Sequence, residues 1–142
     1  MEIRQLDSED YGDVIRVWKG SGLPYRPEGR DSRREIERQI SEFGDLFVGA
    51  FESGELVGVI VGTDDGRKGW INRLAVLPEH RRKGVALKLI HAVEVALRKR
   101  GRRIISILVE TPNRASISLF QKAGYSAWEG MAYLSKRDDP KV

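Results

Sequence analysis

Apolar residues recur three and four positions apart in four stretches of the chain, the spacing of one face of an α-helix. The first stretch predicts a helix over residues 9–19, with Ser8 as its N-cap. The second predicts a helix that begins after Asp31 or Ser32, and the third a helix over residues 84–100. The fourth covers residues 113–122 and ends before Gly124.

Between these stretches lie short segments rich in Val, Ile, Leu and aromatic residues, bounded by Gly, Asp and Ser, which is typical of strands. The predicted strands cover residues 3–6, 46–52, 56–63, 70–76, 104–109 and 125–134. The fifth is almost entirely apolar and is predicted to be buried. The order β-α-α-β-β-β-α-β-α-β predicts an α/β fold (α+β in some schemes), in which helices cover both faces of a mixed, mostly antiparallel sheet. We expect residues 1–142 to form a single domain.

The composition excludes several classes of chemistry. There is no cysteine and there are only two histidines, so a disulfide scaffold, a thiolate metal site and a cysteine nucleophile are excluded. We expect no metal site of any kind. No run reaches 18 apolar residues, and the first residues lack an apolar signal region. We therefore expect a cytoplasmic protein without a membrane partner.

The charge balance favours an anionic ligand without requiring nucleic acid. The chain has 25 basic and 21 acidic residues, and most of the basic ones are arginine, whose planar fork suits phosphates and carboxylates. A nucleic-acid binder is one alternative, because Arg98, Arg100, Arg102 and Arg103 are clustered. Cations at a helix C-terminus explain that cluster equally well, so we expect no nucleic-acid partner.

The segment with the most chemical information joins the fourth predicted strand to the third helix. Three cations, Arg81, Arg82 and Lys83, precede Gly84, at which the helix begins. The first amides of a helix have no internal partner and carry partial positive charge, which makes them a site for phosphate. Gly84 and the small Ala86 leave room for an anion to approach. The spacing matches neither a Walker loop nor the dinucleotide fingerprint.

A second segment contains Asn113, Ala115, Leu119, Phe120, Gly124 and Tyr125 in a helix followed by a turn. Together with Arg81-x-x-Gly84-x-Ala86 and the preceding Leu-Ala-Val-x-Pro, it resembles the two signature segments of the GNAT superfamily of acyl-coenzyme A N-acyltransferases. The resemblance covers essentially the whole chain. It implies the GNAT fold and transfer of an acetyl group from acetyl-coenzyme A (acetyl-CoA) to a primary amine by direct attack in a ternary complex.

The resemblance also implies where the cosubstrate binds. The pantetheine arm would lie along the end of the fourth strand and contact the start of the last helix, and the helix-start amides would hold the pyrophosphate with Arg81 nearby. A backbone amide, that of Val76, would polarise the thioester carbonyl. The cofactor-binding residues expected on this basis are Leu74, Ala75, Val76, Arg81, Arg82, Lys83, Gly84, Val85, Ala86, Asn113, Ser116, Phe120 and Lys122.

The chain departs from the family at the expected catalytic positions. Phe120 stands where relatives commonly have a tyrosine that protonates the leaving thiolate, and Trp70 or Asn72 stands where some carry a glutamate base. Asn72, which can order a water, Tyr125 and Tyr133 are the remaining catalytic candidates. A CoA-binding regulatory or sensor domain without efficient catalysis is therefore an alternative.

The acceptor is the least determined part of the function. Many relatives place acceptor contacts in the loop that here spans residues 23–30, so Tyr25 and Arg26 are candidate substrate-binding residues. The acceptor itself, a small molecule or a peptide amine, is not named by the sequence. The oligomeric state is also open, with a homodimer among the alternatives, as is the use of acyl groups other than acetyl.

Overall fold

A computed structural model describes all 142 residues and contains one five-stranded sheet. Its strands lie in chain order, the first four antiparallel and the last pair parallel, which confirms the predicted mixed, mostly antiparallel sheet. The strands are β1 (Glu2–Gln5), β2 (Phe47–Glu52), β3 (Glu55–Asp64), β4 (Gly69–Val76) and β5 (Ile105–Ile107).

Helices cover both faces of the sheet, as predicted. They are α1 (Tyr11–Gly20), α2 (Arg33–Phe43), α3 (Val85–Lys99) and α4 (Arg114–Lys122). The helix α3 lies close to the sheet because three facing strand positions are glycines. A Cβ atom at Gly58, Gly62 or Gly69 would come within about 3 Å of side chains of this helix. The helices α1 and α2 occupy the opposite face.

The starts of the first two helices differ in detail from the sequence expectation. A 3-10 turn over Ser8–Asp10 precedes α1, and Asp7 rather than Ser8 is its N-cap. Asp7 and Asp10 form a capping box. The Asp7 side chain accepts a hydrogen bond from the backbone amide of Asp10, and the Asp10 side chain accepts one from the backbone amide of Asp7. Ser32 caps α2 by accepting a hydrogen bond from the amide of Glu35. Asp31, the other predicted cap, has a different role described below.

A β-bulge in β4 changes which of its side chains share a face. The register passes from Val61↔Arg73 directly to Gly62↔Ile71, so Asn72 is the extra residue. Simple alternation along the strand predicts that Trp70, Asn72, Leu74 and Val76 share one face, and the bulge makes that prediction wrong. Asn72 and Arg73 instead project to the same face, the one covered by α1.

The end of the chain differs most from the prediction. β5 has only three residues, is half-buried and forms the edge of the sheet, and no strand forms over residues 125–134. Gly130 has φ of +81°, which interrupts an extended run, and no neighbouring strand pairs with the segment. Leu108 beyond β5 and Trp128 in the tail are 63% and 82% exposed. The predicted burial of the fifth strand is therefore also wrong.

Candidate active site

The strand β5 pairs only with the first three residues of β4, and β4 continues beyond the end of this pairing. The parallel pairing covers Gly69↔Ile105 to Ile71↔Ile107, and the rest of β4 has no partner on that side. The amide of Leu77 bonds to Val57 of the β3 side, so Leu77 and Ala75 direct their backbone groups towards β3. By alternation, the backbone groups of Leu74 and Val76 face the gap. The free half of β4 is the stretch in which Leu74, Ala75 and Val76 were predicted to contact the cosubstrate.

The start of α3 lies just beyond the end of this free half. Arg82 and Gly84 both have left-handed backbone conformations, with φ of +63° and +80°. The first hydrogen bond of the helix runs from the amide of Lys88 to the carbonyl of Gly84, and no side chain caps it. The amides from Arg82 to Leu87 therefore donate to no protein group. A Cβ at Gly84 would meet no atom within 4 Å, so the space beside Gly84 is open.

The three cations before α3 have different surroundings. Arg81 donates through Nε to the carbonyl of Val76 at 3.0 Å and through Nη2 to the carbonyl of Ser21 at 3.2 Å. Its guanidinium thus connects the end of β4 to the end of α1. The gap-facing carbonyl of Val76 therefore already has a hydrogen-bond donor. Arg82 and Lys83 are exposed and form no ion pair. They are the cations that are free to approach an anion at the helix start.

The start of α4 carries the second group of predicted cofactor contacts. Asn113 is the N-cap, and its Oδ1 accepts from the amide of Ser116 at 3.2 Å. Its Nδ2 group remains free to donate. Phe120 is 4% exposed and packs edge-on against Tyr125, with 5.2 Å between ring centroids, whereas Lys122 is exposed. The role of these residues towards a cosubstrate stays a prediction.

The three catalytic candidates lie in very different environments. Asn72, on the bulge, donates from Nδ2 to Thr63 Oγ1 at 2.9 Å, which leaves its Oδ1 free to accept. The Tyr125 hydroxyl donates to Glu94 Oε2 at 2.8 Å, and burial together with that carboxylate raises the pKa of Tyr125. Tyr133 is 66% exposed in the tail, and no hydrogen bond fixes its hydroxyl. Only Asn72 combines exposure with a fixed position on β4.

The structure adds two residues to the site region that sequence reasoning missed. Arg73 donates to the carbonyl of Pro24 at 2.6 Å and to Asp31 Oδ2 at 2.9 Å, and its guanidinium lies 4.6 Å from the ring centroid of Trp18. Asp31 also accepts from the amide of Arg26 at 2.6 Å. The signal in the sequence was an arginine directly before the apolar end of a strand. An arginine at such a position is expected to be buried, and a buried cation needs a partner.

This buried ion pair holds the loop that contains the predicted acceptor contacts. Tyr25 is half-buried, and Lys19 Nζ lies 5.5 Å from the centroid of its ring. Arg26 is bound through its backbone only, so its guanidinium extends into solvent. Because Arg73 belongs to β4, the ion pair places the loop beside the residue at which the sheet begins to open.

Two of the four arginines clustered at the C-terminus of α3 are bound within the protein. Arg100 forms a two-point bond with Asp45, at 2.8 and 2.6 Å, and Arg102 bonds to Asp64 at 2.7 Å. The hydrogen bond from Arg100 lowers the pKa of Asp45 below its ordinary value, although partial burial opposes this. These pairs explain Arg100 and Arg102 of the cluster that suggested nucleic acid, whereas Arg98 and Arg103 form no ion pair.

The structure contains neither a cluster of metal-ligating side chains nor a helix that could span a membrane. No three His, Asp or Glu side chains lie together in a way that would bind a metal ion. None of the helices has the length and hydropathy needed to cross a bilayer.

Sequence comparison identifies the family. A family model described as "Acetyltransferase (GNAT) family" matches residues 2–125. The chain belongs to the GNAT acetyltransferase family. It is 37% identical over 137 residues to the acetyltransferase SG1711 of Sodalis glossinidius, covering 96% of this chain and 95% of that protein. It is also 37% identical over 125 residues to the acetyltransferase ECA0875 of Pectobacterium atrosepticum, covering 88% and 87%. This GNAT chain is therefore an acetyltransferase, as the resemblance implied.

Solved structures share the fold. The PaiA N-acetyltransferase of Thermoplasma acidophilum, solved in complex with coenzyme A, superposes with a TM-score of 0.80 at 24% identity over 92% of both chains. The aminoglycoside 6'-N-acetyltransferase AAC(6')-IG of Acinetobacter haemolyticus gives a TM-score of 0.80 at 20% identity, covering 98% and 100%. At this level of identity the likeness shows the GNAT fold and leaves the acceptor of this chain undetermined.

Proposed function

We propose that this protein transfers the acetyl group of acetyl-CoA to a primary amine by direct attack within a ternary complex. The observation that carries the proposal is the position of the open half of β4 next to the uncapped start of α3. The open half of β4 offers backbone groups that can bond to an amide-containing chain, and the start of α3 offers a row of free amides that can bind phosphate. A strand gap or a helix start alone would be weaker support.

The residues present suit acetyl-CoA. Leu74 exposes a gap-facing N–H and C=O that can bond to the amides of the pantetheine arm, and the gap-facing N–H of Val76 is also free, whereas the Val76 carbonyl is already bound by Arg81. The free amides from Arg82 to Leu87, with the exposed Arg82 and Lys83, suit the pyrophosphate, and the Nδ2 of Asn113 can donate to the arm. When bound, the cosubstrate supplies a thioester that is already activated for attack.

The chain itself contributes position and polarisation. The gap-facing amide of Val76 is the donor that we assign to the thioester carbonyl, where such a donor is worth roughly a hundredfold or more in rate. Asn72 Oδ1, fixed by the bond to Thr63, can accept from a water or from the amine. In the overall step a C–N bond forms while the C–S bond breaks, and the proton lost by the amine is taken up by the departing thiolate, which becomes the thiol of CoA, or by solvent.

A combined binding and turnover experiment tests the proposal. Calorimetry measures the affinity for CoA, and thiol release with a panel of amines measures transfer, with mass spectrometry of the acetylated product as a check. We expect binding and amine-dependent thiol release. Tight CoA binding without turnover of any amine would instead support the regulatory domain, an alternative that Phe120 favours because it lacks a proton to donate.

A further inference from the structure

The loop beside β4 carries two arginines without any carboxylate partner. Arg26 and Arg30 are exposed, and neither guanidinium forms an ion pair or a hydrogen bond. The one buried carboxylate in the loop, Asp31, has a side chain only 5% exposed and is already bound to Arg73. The other acidic residue, Glu28, pairs with Lys141. Both acids of the loop are therefore paired with cations outside it, and the guanidinium groups of Arg26 and Arg30 are left without ion pairs next to the opening of the sheet.

These arginines are close enough to Arg73 to act on it. Burial is the main cause that lowers the pKa of Arg73, and the like charges of Arg30 and Arg26 lower it further, against the opposing effect of Asp31. Three like charges thus act on one another, and the one buried carboxylate near them, Asp31, is paired with Arg73 alone. An anion bound between the exposed arginines would relieve this repulsion, and a further cation would increase it.

We propose that the acceptor is an amine that also carries an anionic group, a carboxylate or a phosphate, which Arg26 and Arg30 bind while the amine faces β4. This inference rests on the proposed function and adds the substrate class to it. It agrees with the chemistry, because the attacking amine must be neutral. A positive field lowers the pKa of an amine and so favours its neutral form, which matters in a site without a glutamate on β4.

The proposal also predicts what the site rejects. Polyamines and aminoglycosides carry several positive charges and would be repelled by the same arginines. This chain would therefore differ in acceptor class from the aminoglycoside acetyltransferases whose fold it shares.

Matched pairs of amines test the proposal, since the members of a pair differ mainly in charge. β-Alanine is compared with β-alaninamide for carboxylate, and phosphoethanolamine with ethanolamine for phosphate. Spermidine and kanamycin serve as polycations. We expect kcat/KM to be at least tenfold higher for the anionic member of one or both pairs, and which pair responds identifies the anionic group. Equal values within both pairs, or a preference for the polycations, would overturn the proposal.

Variants then locate the effect. Arg26→Gln and Arg30→Gln remove exposed side chains without contacts, so folding is expected to be unchanged. Each should raise KM for the anionic probe severalfold with little change in kcat or in CoA affinity, and the double variant should abolish the preference within the pair. Arg103→Gln is the matched control, because it removes an exposed, unpaired cation near the closed end of the gap. An equal effect of Arg103→Gln would refute the assignment.

The failure of this inference is distinguishable from failure of the proposed function. If no probe is acetylated although acetyl-CoA binds, acetyl transfer itself is in question, and probe binding to the CoA-saturated protein is measured by calorimetry. Binding of the anionic member at least tenfold more tightly supports the anion site, whereas equal binding overturns it. If neutral and anionic amines are acetylated equally well, the function stands and the substrate class is wrong.

Discussion

The two ends of α3 carry similar cations in the sequence and have opposite roles in the structure. At the C-terminus, Arg100 and Arg102 are bound to Asp45 and Asp64, and they fasten the helix to the turns around the sheet. At the N-terminus, Arg82 and Lys83 have no ion pair, and the amides that follow them have no acceptor. A run of cations therefore indicates a binding site only where the structure leaves the cations and the amides next to them without internal partners.

The free end of α3 is the place where a single substitution should have the largest effect. Gly84→Asp adds a carboxylate that competes for the helix-start amides, repels phosphate and strains a backbone with φ of +80°. We expect roughly 30- to 100-fold weaker CoA affinity, which is about 2–3 kcal/mol, measured by calorimetry.

Gly84→Ala is the control, since it introduces the backbone strain without the charge and should weaken CoA binding much less. Unchanged affinity in a folded Gly84→Asp protein would show that the start of α3 does not bind the pyrophosphate. The contrast between the two ends of the helix would then have no functional meaning.

The bound end should respond in stability rather than in affinity. Arg100→Gln removes the two hydrogen bonds to Asp45. We expect the free energy of unfolding, measured in urea at pH 7, to fall by roughly 1–2 kcal/mol, with CoA affinity unchanged. Because the folded-state pKa of Asp45 is lowered, the pair stabilises the protein above the ordinary aspartate pKa, near 3.9. The stability difference should therefore shrink as the pH falls through the folded-state pKa of Asp45.

A weaker CoA complex with normal stability in Arg100→Gln would contradict this division of roles between the two ends of α3. It would mean that the C-terminal cations take part in binding. Arg103→Gln, which removes an unpaired neighbour, should change neither the stability nor the affinity.

The start of α4 differs from the start of α3 in how available its first backbone amides are. This helix is capped by Asn113, so its amides are less available than those of α3, and only the Nδ2 of Asn113 is left to donate. Asn113→Ala should weaken CoA binding by roughly fivefold, about 1 kcal/mol, through loss of one hydrogen bond. Asn113→Asp keeps a cap and removes the donor, so a normal affinity in Asn113→Asp with a loss in Asn113→Ala would reduce the residue to a helix cap.

The smallest effect is expected at the middle of α3, where Glu94 accepts from the Tyr125 hydroxyl. Tyr125→Phe should lower the free energy of unfolding by about 0.5–1.5 kcal/mol and leave the single-turnover rate of acetyl transfer within about twofold. A loss of rate of tenfold or more, with normal CoA affinity, would instead identify Tyr125 as the proton donor. Tyr133 would then be excluded from that role.

Local pattern was sufficient to predict some of the structural features of the candidate site. The amide-rich start of α3 was predicted because Gly84 follows three cations at the end of a strand, and nearby residues alone create this feature. The capping role of Asn113 was also readable, since asparagine at a helix start commonly accepts from the third amide. The family resemblance then connected these local features to acetyl-CoA.

Other features depend on residues far apart in the chain and could not be predicted in this way. The bulge at Asn72 depends on the register with β3, and it places Asn72 and Arg73 on one face against simple alternation. The bond between Arg73 and Asp31 joins residues 42 positions apart. In the tail a local pattern predicted a strand that did not form, because residues 125–134 have no neighbouring strand to pair with.

The sequence by itself determined the order of the elements as far as α4, the helix start that suits phosphate and the family to which the chain belongs, because these depend on local spacing and on short motifs. The tertiary structure decided which cations are bound and which are free, where the sheet opens, and which side chains meet at the opening. Those properties depend on strand register and on long-range ion pairs, and a charged residue gives no sign in the sequence of the partner that the fold will bring to it.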